Sequence, residues 1–289
     1  MAETESTAQP ESQDLENSGR SSPVVQQPAA AAPSFVYALG RVQPRFPSLS
    51  VEKEFAQVTG RAAVSGLTDH EALQAVLSDR ANRYLARQVC WVFTIEGLET
   101  YLLTPRDPAD LDLLVEAVRA KPEPTDLDVV IGVLGPFAPP EACGLVVPLV
   151  AFDQLYSFER AALLDAIPRP DSIPQRDDKQ FRATAAEVLD RILQMADNAG
   201  ATDEHRALNY LAVRYPAIYA QTAAAHANNM SLTAVDVRPS RLSGVRVVLD
   251  VIFSYTDRQT DVTQKQFVRL DVTEEFPFLI TKLGPYYDH

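Results

Sequence analysis

From residue 232 onward, apolar residues recur at every second position, and that period restricts the end of the chain to β structure. Val245, Val247, Leu249, Val251 and Phe253 fall on one face; Arg246, Asp250 and Ser254 fall on the other, shared with Val248 and Ile252. Side chains alternate across a strand, so such a pattern buries one side of a sheet. The runs 232–237, 245–255, 262–273 and 278–286 are linked by LSG, TDRQTD and TEEFP, which are turn material. The expectation is an antiparallel four-strand meander. A sheet with one apolar face must be covered, and the segments before it are helical.

Those helices are marked by their ends. Thr68 and Glu71 form a capping box for a long helix whose apolar side is Leu73, Val76, Leu77, Tyr84 and Leu85. Asp107 precedes Pro108, a good first helical residue, and Leu111, Leu114, Val115 and Val118 follow as a stripe. Helices are read at 157–167, 178–196, from Thr202 to Pro216, and over the Ala-rich 217–228. Strands are read at 35–42, 89–96, 99–104, 128–133 and 145–152, the second and third forming a hairpin at Gly97. The fold class is therefore α+β: N-terminal mixed strands and helices, central helices, and the C-terminal antiparallel four-strand meander packed on helices. Residues 1–33 are rich in Glu, Ser, Gln, Ala and Pro, with few bulky apolar residues, and read as a disordered acidic tail. Residues 34–289 read as one domain.

The formal net charge of −13 argues against nucleic acid, which needs clustered cations. No apolar run is long enough to span a membrane, because Pro and Glu interrupt residues 132–152. The N-terminus has no signal-peptide pattern. Cys90 and Cys143 form no CxxC motif, and both are read as free thiols in a reducing, cytoplasmic setting.

Polar groups concentrate in residues 197–219 (DNAGATDEHRALNYLAVRYPAIY). Thr202 caps a helix there, and Asp203 and Glu204 complement its dipole. His205 and Asn209 lie one turn apart and read either as a recognition pair or as part of a capped helix start. Arg80, Arg83 and Arg87, at i, i+3 and i+7, read either as a clamp for acidic peptide segments or as a solvated helix face. Cys143 with His205 would make a thiol nucleophile and base if they touched. Cys90, Cys143, His205 and His226 would make a zinc site if they converged. Asp126 and Asp128 are expected at the surface. No phosphate loop, cofactor motif or protease nucleophile motif is found.

Long blocks resemble a known family. They include FVYALG at Phe35, RFPSLSVEKEFAQ at Arg45, RYLARQVCWVFTIEGLETYLL at Arg83, RDPADLDLLVEA at Arg106, VPLVAFDQLYSF at Val147, DNAGATDEHRALNYLAVRYP from residue 197, and DVTEEFPFLITKLGPYYD at the end. Together they resemble the C-terminal domain of PatG- and PatA-type proteins of cyanobactin (patellamide) maturation, here as a stand-alone copy without the subtilisin-like protease domain. The resemblance implies an appendage, with no settled activity of its own, of a multidomain protein that processes ribosomally made peptides. The expectation is a recognition or scaffolding module for a peptide or a partner protein, with Arg80, Arg83, Arg87, His205 and Asn209 as contact residues. No catalytic residue, cofactor or metal is assigned. The alternatives are an enzyme with a thiol/His or zinc site, and a homodimerisation module.

Overall fold

In a computed structural model, the described residues are 33–61, 67–123, 125–167, 178–193 and 198–287. The expected tail lies outside them, and residues 33–289 form one compact unit.

The first half is a closed barrel of order β1–β2–β3–β5–β4: β1 (Phe35–Arg45), β2 (Cys90–Ile95), β3 (Leu98–Pro105), β4 (Leu127–Phe137) and β5 (Pro148–Phe158). All pairings are antiparallel except β3 with β5. The second sheet is the expected meander: β6 (Met230–Pro239), β7 (Val248–Asp257), β8 (Thr263–Asp271) and β9 (Phe278–Pro285).

The helices are α1 (Leu49–Arg61), α2 (Asp69–Ser78), α3 (Arg83–Ala86), α4 (Leu111–Ala117), α5 (Arg160–Asp165), α6 (Asp178–Leu193), α7 (Asp203–Arg214) and α8 (Ala217–Ala227). Among the described residues, no helix is long and apolar enough to cross a membrane.

Alternation along the barrel strands separates two cores. Val36, Ala38, Phe93, Val130 and Phe152 join α4 residues Leu111, Leu114 and Val115 in one cluster. Tyr37, Leu39, Val129 and Ile131 join Leu208, Leu211, Ile218 and Tyr219 of the helices and Leu249, Val251 and Phe253 of the meander in the other. The barrel wall thus covers the helical layer, and that layer covers the sheet.

Several expectations need correction. The strand read at 35–42 continues through Pro44 to Arg45. Odd positions of β1 bond to β2 there, so the missing N–H of Pro44 removes no rung. The strand read at 145–152 begins and ends later, and β5 runs to Phe158 because Ser157 and Phe158 pair with β4. The helix read at 157–167 therefore shrinks to Arg160–Asp165.

The long helix from Thr68 also breaks. Its capping box is present, but it stops at Ser78, where extended Asp79 accepts a bond from Ala81 N–H and starts a 3-10 turn. Val76, Leu77 and Leu85 are buried as expected, but Tyr84 is exposed. In the meander, Leu249, Val251 and Phe253 are buried, whereas Val245 and Val247 precede β7 and are exposed.

The thiols are not free. Cys90 and Cys143 form a disulfide that ties the loop after β4 to the first residue of β2. Ala138 and Leu145 of that loop pack with Val92 and Leu102 around the bond.

Candidate functional site

A cavity of about 280 Å³ opens at one end of the barrel. Leu39, Gly40, Arg41 and Gln43 of β1 line it, with residues 94–97, residues 125–127 and Leu189 of α6. The β2–β3 turn at its rim is a two-residue hairpin loop, with Ile95 opposite Leu98. Glu96 and Gly97 both have positive φ (50° and 82°), as a type I′ turn requires. Arg41 Nε donates to the Asp126 carbonyl at 3.2 Å, which joins β1 to the segment before β4.

The β1 ladder places Leu39 and Arg41 in this cavity. Leu134 N–H donates to Ser34 O at 2.8 Å, which makes 34 and 134 a bonded pair. Bonded pairs alternate in an antiparallel ladder, so Val36, Ala38 and Gly40 bond to β4. Tyr37, Leu39 and Arg41 then face the opposite edge. Arg41 pairs with Thr94 of β2. Tyr37 N–H donates to Gly200 O at 2.9 Å, and Tyr37 O accepts from Asn209 Nδ2 at 2.8 Å. Leu39 falls between these partners. Continuing the register by two residues would bring Glu96 opposite it, but the chain has already turned away there. Leu39 therefore lines the cavity between two braced neighbours, and it is itself buried.

The polar block at 197–219 explains why the ladder is interrupted. Asn209 is fully buried and exchanges two amide bonds with Asn198, at 2.8 and 3.1 Å. Tyr101 Oη donates to Ala199 O at 2.8 Å. These bonds fix residues 198–200 against β1, and Gly200 takes the left-handed φ of 73° needed for close approach. Asn209 is thus a strut with no exposed surface, which corrects its reading as a contact residue. His205 is half-buried in the first turn of α7, where its own N–H donates to Thr202. Asn209→Leu removes one partner from a buried set and should cost about 2–4 kcal/mol in chemical denaturation. Unchanged stability would show that the amide does not hold β1.

The three arginines do not share one helix. Arg80 and Arg83 line a separate cavity of about 200 Å³ with Leu111, Asp112 and Glu116. Arg83 is paired with Asp112 at that cavity, and Arg87 is exposed away from it. Arg80 lies in the 3-10 turn, Arg83 opens α3 and Arg87 follows its end, so no continuous α-helix aligns the three. Cys143 Sγ is bonded to Cys90, so it presents no thiolate to His205. Among the described residues, no cluster of three His, Cys, Asp or Glu side chains could hold a metal.

Two charged clusters were not foreseen. Asp126 and Asp128, expected at solvent, are buried. Asp128 accepts from Val42 N–H, Ser157 Oγ and Arg119, which also reaches the carbonyls of Leu127 and Phe158. Burial still pushes the Asp128 carboxyl up, and those donors oppose the rise. The cluster closes the seam between β1, β4 and β5.

The second cluster joins the β8–β9 turn to the barrel. Buried Arg206 of α7 donates to the carbonyls of Val272, Glu274 and Glu275 and lies over the Phe35 ring. Glu275 Oε2 is 3.3 Å from Arg106, which also pairs with Asp153 of β5. Burial, then a hydrogen bond to Asp153 and its charge, push the Glu275 carboxyl up to about 7, against Arg106 and Arg206. Ionised, its buried Oε1 has no donor; protonated, it donates to Asp153.

The folded value lies above the ordinary 4.5. The stabilisation is therefore complete below about 4.5 and is lost as pH rises through about 7. Glu275→Gln keeps a donor at all pH values. Relative to wild type, it should melt about 2–4 °C higher at pH 8 and no higher at pH 4.5. A pH-independent difference would refute the assignment.

Comparison with known proteins places this geometry. Residues 175–286 match the family model "PatG C-terminal", a span that runs from α6 through β9. No curated protein matches the chain significantly. A solved structure, "PatG Domain of Unknown Function", superposes with a TM-score of 0.71 at 21% identity, covering 88% of this chain and 98% of that one. At that identity the likeness is one of fold, and it takes in the barrel that the family model leaves out. Residues 175–286 are thus similar to the PatG C-terminal family, and the chain shares the fold of the PatG domain of unknown function.

Proposed function

We propose that this is a non-catalytic recognition module that holds a peptide, or an extended segment of a partner protein, in a ribosomal-peptide maturation system of the PatG kind. One observation carries the reading: the cavity at the barrel end sets the apolar side chains of Ile95, Leu127 and Leu189 beside the polar residues Arg41, Thr94 and Glu96. A few placed polar groups in an apolar concavity are what small-ligand and peptide sites provide. Support also comes from the similarity to the PatG C-terminal family, and from the disulfide, which takes the Cys143 sulfur out of nucleophilic chemistry. The proposed setting is the cytoplasm, where ribosomal peptides are made. There the Cys90–Cys143 bond would rely on the burial of Cys90 to resist reduction.

The test is calorimetric titration of the whole chain with a precursor peptide encoded beside it and with the neighbouring maturation enzymes. Saturable heat with at least one of them is expected. No heat with any of them would overturn the reading.

A further inference from the structure

We infer that the β6–β7 loop is a docking surface for an acidic peptide segment that carries apolar side chains. None of its residues lines the barrel-end cavity, so this surface stands apart from recognition there. The chain has 39 acidic and 26 basic residues, yet Arg238, Arg241 and Arg246 follow one another closely, with no acid between Asp236 and Asp250. All three arginines are exposed. The acids nearest in the ladder are already engaged. Asp250, opposite Arg238, accepts twice from Arg269, at 2.6 and 3.0 Å. Asp271 is buried and lies 3.1 Å from Arg246. The loop therefore presents positive charge on an acidic chain.

Apolar side chains lie among these charges. Val245 is 100% exposed and Leu242 66%. A single exposed apolar residue is ordinary, but this loop holds out two while being tightly bonded itself. Ser240 N–H donates to Val248 O at 2.8 Å and closes residues 241–247 into a loop. Inside it, Leu242 N–H donates to Ser240 Oγ at 3.3 Å, and Ser243 Oγ donates to Val248 O at 2.9 Å. Val247 N–H donates to Thr273 Oγ1 at 2.8 Å, which ties the loop to the end of the sheet. The surface is thus shaped before a partner arrives, which lowers the ordering cost of binding. It continues across the sheet, where Val248, Asp271 and Phe278 are in register and Phe278 is 50% exposed. Arginines around apolar side chains suit a protein partner, and their charge sets its sign. Leu242 and Val245 have no counterpart on a phosphate backbone, which favours a peptide over nucleic acid.

The probe is fluorescein-labelled Glu-Leu-Asp-Glu-Val-Glu-Leu-Asp-amide. One copy has Gln and Asn in place of the acids, and another has Ser in place of Leu and Val. Anisotropy titration with the whole chain should show saturable binding of the probe, weaker at high salt. Either copy should bind about 10-fold more weakly. Arg241→Glu and Val245→Ser should each weaken the probe about 5-fold or more and leave the melting temperature unchanged, because both side chains are exposed. Equal binding by either copy would overturn the partner's stated chemistry. Unchanged binding by both variants would overturn the surface, as would no binding of the probe. Tighter binding of an oligothymidylate, lost in Arg241→Glu, would make the loop a nucleic-acid contact. Dimers in light scattering that are lost in Val245→Ser would make it a contact between two copies of the chain. Either result would overturn the inference.

Discussion

Gly200→Ala should destabilise the protein by about 3–5 kcal/mol and lower its melting temperature by about 10 °C or more. Two costs combine. The residue sits at φ 73°, a region that costs a non-glycine residue roughly 1 kcal/mol. A methyl group there would also lie 2.3 Å from Tyr37 O and 2.6 Å from Ala38 Cα. Both obstacles are backbone of a central barrel strand, so neither can swing aside. Relief requires residues 198–200 to leave β1, which breaks the Gly200–Tyr37 bond and opens the Asn209 amide set. Thermal unfolding measures the outcome, and a loss under 1 kcal/mol would contradict the close packing. As a control, Gly244 meets nothing within 4 Å, and alanine there should be neutral.

Removing the Cys90–Cys143 bond should cost about 2–4 kcal/mol. The two cysteines are 53 residues apart, so the bond closes a long loop and restricts the unfolded chain. It also pins a loop whose own core is small, with Ala138 and Leu145 as its buried members from that segment. Reductant titration followed by denaturant unfolding tests this. A companion variant separates the cross-link from backbone strain. Cys143 is itself left-handed, with φ 56°. The pair Cys90→Ala with Cys143→Gly should therefore retain about 0.5–1 kcal/mol that Cys90→Ala with Cys143→Ala loses. Equal stability of the two would show that the loop relaxes once it is untied.

Local signals carried much of the fold. The period-two runs after residue 232 became β6–β9, and Gly97 marked the β2–β3 hairpin, because both depend on neighbours close in the chain. The caps at Thr68, Asp107 and Thr202 are all present. Barrel closure was not legible. It joins β1 to β4 some ninety residues apart and sets β3 beside β5 in parallel, and no local pattern specifies either. The buried carboxylates Asp126 and Asp128 looked like surface acids because their partners, Arg119, Ser157 and Val42 N–H, come from three separate segments.

The candidate site was less legible still. Residues 197–219 drew attention through their polar side chains, yet Asn198, Gly200 and Asn209 serve to brace β1. The cavity beside them is lined by Leu39, the β2–β3 turn and residues 125–127, which come from separate parts of the chain. Arg41 and Thr94 could be marked as its neighbours only once the β1–β2 register was known.

Site-resolved amide hydrogen exchange of the whole chain, with and without the co-encoded precursor peptide, tests the central claim most directly. The account predicts that the peptide slows exchange at residues 94–97, which line the barrel-end cavity, and leaves residues 80–83 of the separate cavity as they were. Unchanged exchange at residues 94–97 under saturating peptide would contradict recognition in that cavity.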